Sequence, residues 1–465
     1  MHDKHTELLQ QLTQAYTARY AGSQQSHARS LRVMVDGISH GARTWEPFPV
    51  RIRAAQGAWV TSEDGQQLVD YWQGHFANIL GHNPREIVEP LLASLQADYG
   101  LQTGLPEEQE ITYAEMLTQA TGADQVRLTT SGTLATMYAL MIARAYTGRK
   151  LVVKVGGGWH GANPLALKGV SHSGSGYGGV DSAGVSAAAE EEILVTRFND
   201  SNALEELFRE HGDRIAAFIF EPCPSVGGFV PATKTYMHTA RALTERCGAI
   251  LIVDEVITGF RYCASSATSL YGVQPDLATY GKIIGGGMPI AAVTGRRDLL
   301  ALTSDSASPR VWFNGGTYSA HPLALTAGIA MLQTLKERQD TLYPALSRRA
   351  TELRNRIEQV FADRGVLARC SGAESPVLGA GSLASVYFPL QDDLAPQGPD
   401  DLNDPRLCDV VLREQVLKLG LLLAGVNVVH GLGALSTEHG DREFDVTCEA
   451  FDRIALQIKG MPRRQ

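Results

Sequence analysis

The chain has 465 residues, 44% of them hydrophobic and 20% charged, with a formal net charge of −9. That is the make-up of a large globular protein with room for two or three lobes, and its acidic balance offers no polyanion-binding surface, so nucleic acid is not an expected partner. No apolar run reaches the roughly 20 residues of a membrane helix, and the start, Met1-His-Asp-Lys-His-Thr-Glu7, lacks the basic-then-apolar order of a signal peptide, so the expected compartment is the cytoplasm, with no membrane partner.

Residues 1–30 are polar, with Leu8, Leu9, Leu12 and Tyr16 at helical spacing, which predicts an N-terminal helix docked on the body or on a partner. Trp59-Val-Thr-Ser-Glu-Asp-Gly-Gln-Gln-Leu-Val-Asp70 predicts two short strands about a Glu-Asp-Gly turn. From about residue 110, apolar runs at 125–128, 151–155, 193–195, 215–220 and 250–253 alternate with helical stretches. Continuous runs separated by helices predict an α/β protein with a mostly parallel sheet covered on both faces. Within this region 171–184, rich in serine and glycine, approaches low complexity and is expected to be a mobile loop. After Ala320-His-Pro322 a long helical stretch is expected to about residue 362, then a strand at 384–388 and a helix near 408–419, which together make a smaller C-terminal α+β lobe. The six cysteines, at 223, 247, 263, 370, 408 and 448, never form C-x-x-C, and no H-E-x-x-H occurs, so free thiols and no metal site are expected.

Ile250-Leu-Ile-Val-Asp-Glu-Val256 is a buried-strand run ending in two carboxylates, and ligands of open α/β sheets gather at the carboxyl ends of strands. Alone, a strand-end acid serves at least as often as a helix cap or a structural ion-pair partner. Lys282 sharpens the reading, because it lies between a short apolar run and Gly285-Gly-Gly287. A desolvated lysine has a lowered pKa and becomes an amine able to form a Schiff base with a carbonyl. Pyridoxal 5'-phosphate requires such a lysine together with an acid facing its pyridinium nitrogen, a place that Asp254 can take. The cofactor also needs an anion cradle. Leu128-Thr-Thr-Ser-Gly-Thr133 ends a strand in Ser131, Gly132 and Thr133 just before the helical run 134–146, and so directs amides and hydroxyls at an anion. A plain helix N-cap is the other use of that pattern.

Ser131-Gly-Thr133, Gly158-Trp-His-Gly161, Glu221-Pro222, Val253-Asp-Glu-Val-Ile-Thr-Gly-Phe-Arg261, Gly281-Lys-Ile-Ile-Gly-Gly-Gly-Met-Pro289 and Gly315-Gly-Thr-Tyr318 stand in the order seen in class III pyridoxal-phosphate aminotransferases. From about Arg43 onward the chain resembles that family, nearest to the glutamate-1-semialdehyde aminomutase branch and its β-amino-acid aminotransferase relatives. The resemblance implies a fold-type-I transferase: an N-terminal segment with part of a small domain at 1–85, a large cofactor-binding domain at 86–335 and a C-terminal small domain at 336–465. It also implies a homodimer with active sites at the interface. Carried over where the motifs match, it makes Lys282 the Schiff-base lysine and Asp254 the partner of the pyridine nitrogen. Val256 would pack beneath the ring, Trp159 would stack above it, and Gly132 and Thr133 would hold the phosphate. Ser131, His160 and Glu221 would line the same region, and Thr317 would reach the phosphate of the neighbouring subunit's cofactor.

Departures from the family pattern bear on the substrate. Leu134 stands where relatives carry an acid, and Val226 where ornithine- and γ-aminobutyrate-type enzymes carry a switch glutamate. No arginine occurs in 424–434, near where their carboxylate-binding arginine falls, so a dual-substrate ω-aminotransferase is not expected. Gly37-Ile-Ser-His-Gly-Ala-Arg43 resembles the N-terminal Gly-Val-Asn-Ser-Pro-Val-Arg of the aminomutases, which implies that Arg43 takes the substrate carboxylate, a surface arginine being the alternative. The 171–184 segment falls where aminomutases keep an active-site loop, whereas Tyr71-Trp-Gln-Gly74 departs from their Ser-Trp-Gly-Pro run. The expected activity is amino transfer between a carboxylate-bearing amine, of β-amino-acid or amino-aldehyde type, and an oxo acid. An intramolecular 2,1-aminomutase or a racemase on the same residues stays open, as does a non-catalytic pyridoxal-phosphate-binding regulator, which would need an added DNA-binding module.

Overall fold

The computed structural model describes residues 5–97, 100–372 and 375–459, so the first four residues of the expected N-terminal helix lie outside it. The central sheet has seven strands in the order Gln125–Thr129, Ala291–Gly295, Leu277–Tyr280, Ile250–Asp254, Ile215–Phe220, Leu151–Val155 and Ile193–Thr196. Ala291–Gly295 runs antiparallel to both of its neighbours, and the remaining adjacent pairs are parallel. All six residues of Ile215–Phe220 are buried. Side chains alternate across a strand, so they enter two different cores. Ala217 and Ile219 pack with Ala135, Ala139 and Leu140 of the helix Gly132–Thr147. Phe218 and Phe220 pack on the other face with Leu204 and Phe208 of Ser201–His211 and with Tyr236 and Met237 of Lys234–Cys247. A strand apolar on both faces is what the unbroken hydrophobic run in the sequence encodes.

The Glu-Asp-Gly turn joins Trp59–Ser62 to Gln67–Asp70, antiparallel as expected, and Ile52–Gln56 flanks the pair. Val426–Asn427 runs parallel to Gln67–Asp70, so segments from the two ends of the chain share one sheet. A further antiparallel sheet holds Arg369–Ser371, Leu383–Tyr387 and Gly433–Ala434. The division at 1–85, 86–335 and 336–465 is retained as a proposal. Among the described residues no helix is long and apolar enough to cross a membrane.

Four expectations change in detail. The N-terminal helix is two, Thr6–Arg19 and Ala21–Ser30. The long stretch after Pro322 is also two helices, Pro322–Glu337 and Gln339–Asp363, which meet at Arg338 with ψ 7°. Pro344, inside the second helix, has no amide for the carbonyl of Asp340. The helix near 408–419 starts later, as a π-helical turn Leu412–Leu417 that continues into Lys418–Leu423. The 171–184 segment is anchored. Tyr177 is buried, its hydroxyl donates to the Pro399 carbonyl (3.3 Å) and accepts from Asn403 Nδ2 (2.8 Å), and the Asp181 carboxylate takes the amides of Val170 (2.7 Å) and Ser171 (2.9 Å). One aromatic ring and one acid outweigh the glycines around them.

Candidate active site

The carboxyl ends of five sheet strands lead straight to the residues singled out in the sequence. Gln125–Thr129 runs into Ser131, Leu151–Val155 into the Trp159 and His160 loop, Ile215–Phe220 into Glu221, Leu277–Tyr280 into Lys282, and Asp254 itself ends the fifth. These residues, with Gly132, Thr133 and Val256, line one cavity of about 480 Å³.

Ser131 caps the helix Gly132–Thr147, its Oγ accepting the Leu134 amide at 3.3 Å. The amides of Gly132 and Thr133 are then among the first of the helix, where the macrodipole favours an anion. Gly161 has φ +83°, and a Cβ there would lie 2.6 Å from Thr133 Cα, so glycine is required for the Trp159 loop to close on the cradle.

Asp254 Oδ1 accepts the Val256 amide (3.1 Å) and the Thr279 hydroxyl (3.0 Å), and Oδ2 accepts His160 Nδ1–H at 2.8 Å. A carboxylate offers about four acceptor sites. One therefore stays free at Oδ2. His160 is held from behind as well, its carbonyl taking the Thr136 hydroxyl at 2.6 Å. Burial lowers the His160 pKa against the pull of Asp254, and its Nε2 is a buried atom without a partner.

Glu221 is pushed up to about 8 by burial and then by repulsion from Asp254, against the amides of Trp159 (3.0 Å) and Ser225 (3.4 Å) and the charge of Lys282. Burial lowers the Lys282 pKa, opposed by Asp254 and Glu221 and reinforced by Arg261. Lys282 stands at φ +51°, in the left-handed region that L-residues rarely adopt. Arg261, which sequence reasoning quoted without giving it a use, is buried beside these groups. Its Nε donates to the Ile257 carbonyl (2.8 Å), Nη1 to Ser382 Oγ (3.3 Å) and Nη2 to the Phe76 carbonyl.

Two expected site residues lie elsewhere. Thr317 is exposed and outside the cavity, its carbonyl accepting Gln102 Nε2 at 2.8 Å. It does not reach this chain's own cradle. Arg43 is exposed in a neighbouring cleft of about 470 Å³ that shares only Gly74 with the cavity. The short turn Gly41–Arg43 aims it at His75, whose Nε2 accepts Arg43 Nε at 3.3 Å. Burial, then the charges of His40, Arg43 and Lys282, bring the His75 pKa down to about 4.

The wall between the two spaces is the feature that sequence reasoning missed. Gln73, Gly74, His75 and Phe76 have φ values of 46°, 61°, 59° and 69°, a full turn in the left-handed region. Left-handed helix costs roughly 1–2 kcal/mol per L-residue. Asp70 holds the turn in place, its carboxylate accepting the amides of Trp72 and Gln73 (both 3.0 Å) while its carbonyl accepts Gln73 Nε2 (2.7 Å). The available signal was Tyr71-Trp-Gln-Gly74 itself, where the chain departs from the aminomutase run.

The aminotransferase class-III family matches residues 40–388. Over 426 residues the chain is 32% identical to a glutamate-1-semialdehyde 2,1-aminomutase of Thermoplasma volcanium, an alignment covering 91% of this chain and 96% of that one. Among solved structures it is similar to a transaminase with pyridoxal phosphate bound, at 29% identity and a TM-score of 0.82 over 95% of this chain and 98% of that one. It is also similar to a β-phenylalanine aminotransferase from Variovorax paradoxus, at 27% identity and a TM-score of 0.85 over 99% of each chain. The cavity's own residues fit pyridoxal phosphate: an anion cradle at a helix N-terminus, a desolvated amine at Lys282 and one spare acceptor on Asp254. This chain belongs to the class-III aminotransferases, enzymes of fold type I that depend on pyridoxal phosphate.

Proposed function

We propose that this enzyme moves an amino group between a carboxylate-bearing amine, of β-amino-acid or amino-aldehyde type, and a separate oxo acid, working as a cytoplasmic homodimer. The observation that carries the reading is the anchored 171–184 segment. No residue of it lines the cavity, and Tyr177 and Asp181 tie it to residues outside the site. An aminotransferase must release its first product before the second substrate enters, which a segment tied away from the cavity allows. An intramolecular mutase must retain that product. The second reading, a 2,1-aminomutase, is supported by the name of the Thermoplasma volcanium relative.

Pyridoxal phosphate, when bound, supplies the carbonyl that the amine attacks and a ring that takes up the electron pair left by proton removal. On this reading the Gly132 and Thr133 amides bind the phosphate, with the Ser131 and Thr133 hydroxyls beside them, and Val256 and Trp159 hold the two faces of the ring. Asp254 Oδ2 keeps a proton on the ring nitrogen, and His160 orients that oxygen. Lys282 Nζ takes the proton from the substrate carbon and returns it on the cofactor side, a task that its lowered pKa suits. The raised pKa of Glu221 disfavours a second negative charge beside Asp254. Arg43 receives the substrate carboxylate across the Gly74 opening, and Thr317 serves the partner subunit's phosphate. The test is a single-turnover experiment with β-amino acids. One oxo product per site, with further turnover only after an oxo acid is added, supports amino transfer; sustained isomerisation without an acceptor refutes it.

A further inference from the structure

Asn78 lines the cavity beside Gly74 and Gly287, and nothing in the chemistry above uses it. Its amide nitrogen lies 3.2 Å from His82 Nδ1, and His82 Nε2 lies 2.7 Å from Asp70 Oδ2. The Asp70 carboxylate also accepts the Trp72 amide (3.0 Å), the Gln73 amide (3.0 Å) and Asn427 Nδ2 (2.7 Å). Asn78 Nδ2 can only donate, so His82 Nδ1 accepts and it is His82 Nε2 that carries the proton given to Asp70. The lone pair at Nδ1 holds the Asn78 amide in this orientation. Its NH₂ goes to His82, and Oδ1 is left on the other side.

Gly74 makes room for this arrangement. A Cβ at Gly74 would lie 2.8 Å from Asn78 Nδ2, and a Cβ at Gly287, also on the cavity wall, would lie 4.0 Å from Oδ1. Oδ1 forms no hydrogen bond among the described residues. An acceptor-only atom held in one orientation binds O–H or N–H and repels a carboxylate oxygen. The reacting amine is already engaged at Lys282, and the substrate carboxylate is directed to the cations of the neighbouring cleft.

We propose that Asn78 is a specificity-determining residue whose amide oxygen, oriented through His82 by Asp70, receives a hydroxyl of the substrate, so that the enzyme prefers amino acids carrying a hydroxyl beside the amine-bearing carbon. The proposal rests on the amino-transfer reading for its substrate class. Asn78 touches the substrate; His82 and Asp70 are positioning residues.

The test pairs 3-amino-4-hydroxybutanoate with 3-aminobutanoate on the holoenzyme, reading both kcat/KM and the binding constant from the change in cofactor absorbance before any acceptor is added. One neutral hydrogen bond predicts that the hydroxylated compound is favoured about two- to tenfold by both measures. Asn78→Leu brings the ratio to about one. His82→Phe lowers the ratio although Asn78 is still present, and His82→Gln, which can supply a donor to Asp70 and an acceptor to Asn78, restores it. A wild-type ratio of one, a ratio that survives Asn78→Leu, or equal losses on both compounds overturns the proposal. Should neither amine be turned over, the amino-transfer reading falls, and the ratio of binding constants still decides the case of Asn78.

Discussion

Replacing Asp254 by asparagine separates the fold from the chemistry at one atom. Asparagine keeps the side-chain volume, and its oxygen can go on accepting the Val256 amide and the Thr279 hydroxyl. Its NH₂ then faces His160 Nδ1, which must accept, so the imidazole proton moves to Nε2, now a buried atom without a partner. The exchange replaces a charge-assisted hydrogen bond worth about 1.5–3 kcal/mol with a neutral one of about 0.5–1.5 kcal/mol, a loss of about 1–2 kcal/mol in stability. Catalysis loses more, because a neutral amide cannot hold the proton on the ring nitrogen. Removing one partner of a buried charge pair costs about 3–5 kcal/mol. At 1.36 kcal/mol per tenfold in rate, kcat/KM falls by roughly two to four orders of magnitude. Asp254→Ala is the less informative change, since it strands three donors at about 1–3 kcal/mol each and threatens the fold itself. The assays are urea unfolding of the cofactor-free protein and steady-state amino transfer. Near-normal turnover in the asparagine variant, or a stability loss as large as that of the alanine variant, would refute the assignment.

Lys282→Ala abolishes turnover while the cradle still binds cofactor, and borohydride treatment of the wild type fixes the cofactor to Lys282; labelling at another lysine contradicts this. Glu221 has a folded pKa of about 8 against 4.5 for the free carboxyl, so it takes up a proton on folding within that window. Its contribution to stability is present below the window and is lost as pH rises through it. Unfolding of the cofactor-free Glu221→Gln variant should therefore lack this fall, and a wild type with the same pH slope as the variant removes Glu221 as its source. Arg43→Ala lowers kcat/KM on the order of ten- to a hundredfold for carboxylate-bearing amines and far less for an amine without the carboxylate. Equal losses for the two amines would make its part structural. Thr317→Val weakens cofactor retention by the dimer, measured by dialysis and reconstitution; a fully active monomer would show that the residue serves no partner.

The sheet and its chemistry were legible because they depend on local sequence. Ile215–Phe220 and Ile250–Asp254 are apolar on both faces, and a glycine-flanked lysine or a capped helix start is visible in a few residues. Strands such as Leu277–Tyr280 and Ala291–Gly295 were not foreseen, being short and rich in alanine, threonine and glycine, so that pairing rather than composition makes them strands. Tyr177 hides in a glycine-rich stretch because its anchors, Pro399 and Asn403, lie more than two hundred residues away. Distance hides part of the wall at Gln73 to Phe76 as well: Asp70 grips its left-handed backbone locally, but the Phe76 carbonyl is held by Arg261, 185 residues further on. Arg43 was found by a short motif, and the motif could not say which side of that wall it faces.

That wall has a bearing on how the enzyme is made. Asp70 holds the left-handed turn and is itself gripped by Asn427, 357 residues further along the chain. Domains fold broadly in the order of synthesis, and distant contacts wait for the chain that supplies them. A nascent polypeptide that has left the ribosome as far as Gly295 already carries every strand of the central sheet, along with Ser131, Asp254 and Lys282. It lacks the residue that secures Asp70. The last support of the left-handed turn is therefore among the last parts of the chain to be made, long after the sheet beside it.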